Sequence, residues 1–250
     1  MAECTTIGWA EVTWNPWVGC ERVSPGCKNC YMHRQRSRFV EDTTKVKRTS
    51  AATFTMPLTK KNIAGKIVFV CSWSDFFIEK GDRWRENVWK IIRNTPETYY
   101  ILLTKRPENI AERLPPDWKE GYPNVAIMVS TENQRLYEKR WSILSKIPCK
   151  LKGISAEPLL EELKLNRKNP PQWILMGGET GFNPRPVPKK AFTKIVRFAS
   201  KMKIPVYHRQ NGGKGSGSKV PGGNLIEGRK YIQFPAEIKN HRRRFRKKPS

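Results

Sequence analysis

The chain has no long hydrophobic run and few acidic residues. Its longest apolar stretch of note, Ile67 to Cys71, is five residues, against the roughly 20 that a membrane-spanning helix needs, which excludes such a span. The opening MAECTTIGWAEV has no basic region followed by an apolar one, so no secretory signal is expected and the protein reads as soluble and cytoplasmic. In a reducing compartment six Cys point to metal ligands, reactive thiols or core positions rather than a disulfide framework. Acid is scarce: 22 Asp and Glu stand against 48 Lys and Arg, a formal net charge of +26. The apolar material is nevertheless sufficient. The 250 residues are 38% hydrophobic, with nine Trp, ten Phe and seven Tyr, enough to bury a core as one domain and to exclude a disordered basic polypeptide.

The positive charge is not confined to one place. The last ten residues, HRRRFRKKPS, hold four Arg and two Lys with no acid, and without them the chain still carries +20. The remainder is interleaved with the ordered segments, at Lys60, Lys61, Arg83, Arg85, Lys105, Arg106 and on to Lys189 and Lys190. A field of that sign draws a polyanion, so nucleic acid, DNA or RNA, is the expected partner in preference to an anionic membrane surface.

Short apolar runs recur from about Gly65: KIVFV at 66 to 70, TYYILL at 98 to 103, NVAIMV at 124 to 129, KLKGI at 150 to 154, QWILM at 172 to 176 and IPVYH at 204 to 208. Their length and β-branched and aromatic content predict strands. Apolar residues at three- and four-residue spacing predict helices over Trp84 to Arg93, Glu132 to Lys146 and Lys189 to Lys201. With one more strand before Cys20 the count is about seven, and the alternation predicts an α/β fold, a complete or partial (β/α) barrel with parallel strands. The expected domain is 1-238, including a cysteine loop at 15-31 and a flexible loop at 211-224, whose NGGKGSGSKVPGGN is a surface loop or a flap over a nucleic-acid backbone. Residues 239-250 are expected to be a basic tail that only a polyanion orders.

Polar residues follow every one of these strands: Cys71 to Asp75, Thr104 to Arg106, Ser130 to Glu132, Ser155 to Glu157, Gly177 to Glu179 and Arg209 to Asn211. In a parallel barrel these positions share the face on which active sites are built. Any single case is explained by wet loops; six of six favour a converging polar site.

Cys20, Cys27 and Cys30 form C-x6-C-x2-C, with turn residues Ser24-Pro25-Gly26 between the first two. Two metal chemistries suit three thiolates on one such loop. His33 can complete a zinc tetrahedron, or three Cys can hold a [4Fe-4S] cluster with one iron left open. Cys4, Cys71 and Cys149 fall outside the spacing and read as small core residues.

The run TWNPWVGCERVSPGCKNCY, followed in order by CSWSDFF, LLTKRPE, NVAIMVSTENQ, ISAEPLL, ILMGGETG, PRPV and YHRQNGG, resembles a phage-associated three-cysteine family of the radical S-adenosylmethionine (radical SAM) clan, from about Ile7 to Gly213. Asn29 stands where the clan usually has an aromatic, and Gly177-Gly178-Glu179 comes too late in the chain to be the clan's amino-group motif. The resemblance implies a barrel, often incomplete, in which Cys20, Cys27 and Cys30 ligate a [4Fe-4S] cluster and S-adenosyl-L-methionine chelates the fourth iron. It implies reductive cleavage of that sulfonium to a 5′-deoxyadenosyl radical, in the host cytoplasm if the protein is phage-encoded. By position, Ser72, Ser74 and Asp75 are expected at the methionyl amino group, Lys105 at the carboxylate, Ser130 alongside them, and Glu132 and Glu157 at the ribose or the sulfonium. Plainer roles for two of these are a helix N-terminal acid for Glu132 and a helix cap for Asp75. Some actinophage proteins resembling the family act as directionality factors for serine integrases. The alternative is therefore a DNA-binding accessory factor with a recombinase as protein partner and a structural iron-sulfur or zinc site; the third reading is a zinc-stabilised nucleic-acid-binding module.

Overall fold

The computed structural model describes residue 5, residues 7–188, 190–215 and 222–246. Cys4, Lys189, residues 216–221 of the glycine-rich stretch and the last four residues of the basic tail lie outside the described residues. Seven strands form the main sheet: β1 Val12–Trp14, β2 Ile67–Val70, β3 Tyr99–Thr104, β4 Val125–Ser130, β5 Leu151–Ala156, β6 Trp173–Met176 and β7 Val206–His208. They lie side by side in chain order, every neighbouring pair parallel. β1 and β7 are its two edges, so the curled sheet is a half-barrel; of the two expected barrel forms, the partial one is observed. The larger helices are α1 Tyr31–Arg36, α2 Asp82–Arg93, α3 Gln134–Leu144, α4 Ala191–Met202 and α5 Ala236–Phe245.

Strands covered on both faces read as continuous apolar runs, and alternate side chains serve two separate cores. Val68, Val70, Tyr100, Leu102, Ile127, Val129, Ile174 and Met176 pack outward with Val88, Trp89 and Ile92 of α2, Leu144 of α3 and Ile195 of α4. Ile67, Phe69, Tyr99, Ile101, Ala126, Met128, Trp173 and Leu175 form the concave core, joined by Trp9 and by Ile238 of α5.

The expectation of a tail without structure beyond residue 238 is corrected by α5. Ile238 and His241, three apart on one helix face, are buried, and the His241 ring packs edge-on against Tyr99 at 5.2 Å. Arg242 stacks on Phe234 at 4.6 Å and pairs with Glu11 at 2.9 Å; Arg246 also pairs with Glu11. Two of the tail's cations therefore hold the chain's end to its beginning, and the helix covers the end of the concave core opposite the polar strand ends.

Candidate functional site

A cavity of about 450 Å³ opens at the carboxyl ends of the strands, with Trp9, Phe69 and Leu103 among its apolar lining. Cys20, Cys27 and Cys30 line it, as do Ser72, Ser74, Asp75, Lys105, Ser130 and Glu157. The ends of four strands, β2 to β5, are thus brought together with the cysteine loop. Glu132 is the exception: it does not line the cavity and is fully buried.

Glu132 acts beneath the cysteine loop. Its carboxylate accepts from Ser24 Oγ at 2.6 Å and from Arg140 Nη1 at 2.7 Å, and lies 4.0 Å from Lys105 Nζ. A Cβ on Gly26 would sit 2.5 Å from its Cγ and Oε1, so only glycine lets the loop lie this close. Burial opposes the charged form, but Lys105, Arg140 and the Ser24 hydroxyl outweigh it and hold the carboxyl below its ordinary range. The neighbouring helix is capped instead by Asn133, whose Oδ1 accepts from Leu136 N at 2.9 Å.

A second buried carboxylate, Glu179, holds the other side of the loop. It accepts from Asn29 Nδ2 at 2.7 Å and from the backbone and Nε of Arg185, each at 2.9 Å; Arg185 also donates to Pro25 O at 3.0 Å. Asp75 is likewise saturated. Its carboxylate accepts from Thr104 Oγ1 at 2.7 Å, Phe77 N at 3.0 Å, Lys105 N at 2.9 Å and Arg106 Nη1 at 3.3 Å. It orders the loops after β2 and β3 and leaves little capacity for a ligand's amino group. Glu157, at the cavity wall, pairs with Arg209 at 2.6 Å.

Each of these four strand-end carboxylates has its own guanidinium: Asp75 with Arg106, Glu132 with Arg140, Glu157 with Arg209 and Glu179 with Arg185. Lys105 is a further cation beside Glu132, 4.0 Å from its carboxylate, and donates to Ser130 Oγ at 3.2 Å. Burial disfavours its charge, but Glu132, Cys27 and Cys30 outweigh that cost and raise its pKa. The thiols differ among themselves. Burial and Asp75 push Cys20 up to about 12, against the opposing Arg106, whose Nη1 lies 3.7 Å from Cys20 Sγ. Cys27 is held below its ordinary value because Lys105, backbone donors and the Ser24 hydroxyl at 3.7 Å overcome its burial.

Among the described residues no group of three or more His, Cys, Asp or Glu is arranged to hold a metal ion; the three thiols share the cavity without meeting at one point. His33 is buried, with Nδ1 bonded to Thr43 Oγ1 at 2.7 Å. His33 and Cys71 line the same cavity as the three loop thiols, so the soft donors around it are four thiols and one imidazole.

Several positioning residues escaped the sequence reading. Asn15 Oδ1 accepts from Trp73 N at 2.8 Å and its Nδ2 donates to Ser72 Oγ at 3.0 Å, fixing the loop after β2. Arg106 and Arg209 stood among the strand-end residues expected to converge but without a role, and Arg185 stands inside a quoted motif. Arg140, eight residues after Glu132, carried no signal.

Residues 4–235 match the family described as Protein of unknown function (DUF5131), and the chain belongs to it. No curated protein and no solved structure matches the chain.

Proposed function

We propose that this DUF5131 member is a radical SAM-like iron-sulfur protein that acts on, or stays bound to, nucleic acid, with reductive cleavage of S-adenosylmethionine as its chemistry. The observation that carries the reading is the placement of Cys20, Cys27 and Cys30 on one cavity with Ser72, Lys105 and Glu157 at the strand ends of a half-barrel. The donor set fits such a group. It offers three sulfurs, Lys105 and Arg106 as cations to offset thiolate charge, and a cavity on which a fourth, open position can face. The cluster's protein ligands would be Cys20, Cys27 and Cys30. Loaded with cluster and S-adenosylmethionine, the site would supply one-electron cleavage of a carbon-sulfur bond.

The chain's own residues bind and orient. Lys105, at the cavity wall and only loosely paired with Glu132, suits a ligand carboxylate. The Glu157–Arg209 pair presents a carboxylate anion and a guanidinium cation side by side to a zwitterion. Trp9 adds an aromatic wall to the cavity.

Anaerobic reconstitution with iron and sulfide tests this. Absorbance near about 400 nm and turnover of S-adenosylmethionine with a strong reductant are expected, both lost in Cys20→Ala with the far-UV circular dichroism retained. One zinc per chain, no such absorbance and no turnover would sink it and leave the accessory-factor reading, as would a Cys20→Ala protein that no longer folds.

A further inference from the structure

We propose that the mouth of the cavity is a platform for an unpaired polynucleotide strand, with one base stacked on Phe182 and a neighbouring base turned into the cavity. This rests on the reading that the partner is a nucleic acid.

The two most exposed large hydrophobic residues among those described are Phe182, at 85%, and Phe39, at 80%. Single exposed apolar side chains are ordinary, but Phe182 is mounted on a fixed support. On one side of it Arg34 Nη1 donates to Thr180 O at 3.4 Å, and a Cβ on Gly181, at φ +114°, would collide with the Arg34 guanidinium. On the other side Asn29 Nδ2 donates to Asn183 O at 3.5 Å. The backbone around Phe182 is thus pinned to the cysteine loop and to α1 while its ring stands in solvent. Phe39 lies three residues past the end of α1. Arg36 of that helix stands 5.9 Å from the ring of Trp73, which lines the cavity.

The segment Glu21 to Arg48, which carries the cysteine loop and α1, has eight Lys and Arg against three acids, and Arg22, Lys28, Arg38, Lys45, Lys47 and Arg48 are exposed. Cations for phosphates interleaved with flat rings for bases are the elements of single-strand recognition. In a duplex the base faces are occupied by their neighbours. A cavity of about 450 Å³ is of small-molecule size, so a base reaches it only out of the stack.

The test uses the full chain and fluorescence anisotropy with labelled DNA and RNA strands of about 12 nucleotides and the matching DNA duplex. We expect at least one strand to bind about tenfold or more tighter than the duplex, the DNA and RNA arms identifying which. Phe182→Ala should weaken strand binding about 5- to 100-fold without changing the slope of log K against log salt, and Phe182→Tyr should restore it. Lys28→Ala should instead flatten that slope by about 0.7. Duplex bound as tightly as strand, or Phe182→Ala binding strands like the parent, overturns the platform while leaving nucleic-acid binding standing. Absence of salt-dependent binding to any of the three overturns both, and turnover of S-adenosylmethionine is read independently of either.

Discussion

Replacing Glu132 should loosen the cysteine loop and destabilise the whole protein. The carboxylate is fully buried, and its pair with Arg140 is enclosed at both ends, the two side chains being 0% and 4% exposed. Removing one partner of such a pair leaves a charge with neither water nor counter-ion, which costs about 3–5 kcal/mol. Glu132→Ala should therefore lower Tm by about 6–20 °C, at about 2–4 °C per kcal/mol for a chain of this size. Glu132→Gln keeps the shape and an acceptor for Ser24 but weakens charged hydrogen bonds, for a smaller loss of about 1.5–3 kcal/mol. Replacing both partners by apolar groups of similar volume, Glu132→Leu with Arg140→Met, should cost less than Glu132→Ala alone. A second readout is local. Ser24, which donates to Glu132, also lies 3.7 Å from Cys27 Sγ, so Cys27, buried at 6% exposure, should be alkylated faster in Glu132→Gln while Cys149 is unchanged. A Glu132→Ala protein within about 3 °C of the parent Tm, with Cys27 no more reactive, would show that the carboxylate holds neither fold nor loop.

Three further outcomes follow from other contacts. Asn15→Ala removes the acceptor for Trp73 N and should cost about 1–3 kcal/mol, measured as a lower urea midpoint at unchanged m, with Asn15→Asp recovering most of it. His208 and His241 are buried and held below the ordinary imidazole value of 6.5 by that burial, so the unfolded chain takes up these protons first. Their stabilising contribution is full above about pH 6.5 and falls as pH drops through the folded values; Tm should already decline between about pH 6.5 and 5, before carboxylates such as Glu179 titrate, and a flat Tm there contradicts it. Ending the chain after Ile238 should lower Tm by at least about 5 °C, because His241 and Arg242 are then lost from the concave core's end; an unchanged Tm would make the segment a mere carrier of charge.

The strands were legible because most of their positions are buried on both faces. Ile67–Val70 and Val125–Ser130 are buried at every position, so their apolar runs mark them almost to the residue. α5 was not legible. Within Ala236–Phe245 only Ile238 and His241 are buried, and what holds them is a sheet end and Glu11, contributed by the start of the chain. The short antiparallel pairing of Trp17–Val18 with Lys47–Arg48, which folds the cysteine segment back on itself, was hidden for the same reason: two exposed basic residues carry no strand pattern of their own.

The site was legible as a set of strand ends but not as a set of charges. Position in the chain placed Asp75, Glu132, Glu157 and Glu179 at the carboxyl face, yet it could not foretell that each would be matched by an arginine up to 52 residues away. That matching changes what the acids can do. Asp75, Glu132 and Glu179, each held by a guanidinium and further donors, organise loops, whereas Glu157, with Arg209 as its recorded donor, and Lys105, 4.0 Å from Glu132, keep capacity for a ligand. It also separates the formal charge of +26 from the site. The four pairs cancel, so the cavity carries little of the excess, which lies instead on exposed segments such as Glu21 to Arg48. Salt screens exposed charges strongly and enclosed pairs weakly. Raising ionic strength should accordingly weaken capture of a polyanion while leaving the loop's ties to Glu132 and Glu179, and so the presentation of the three thiols, almost untouched.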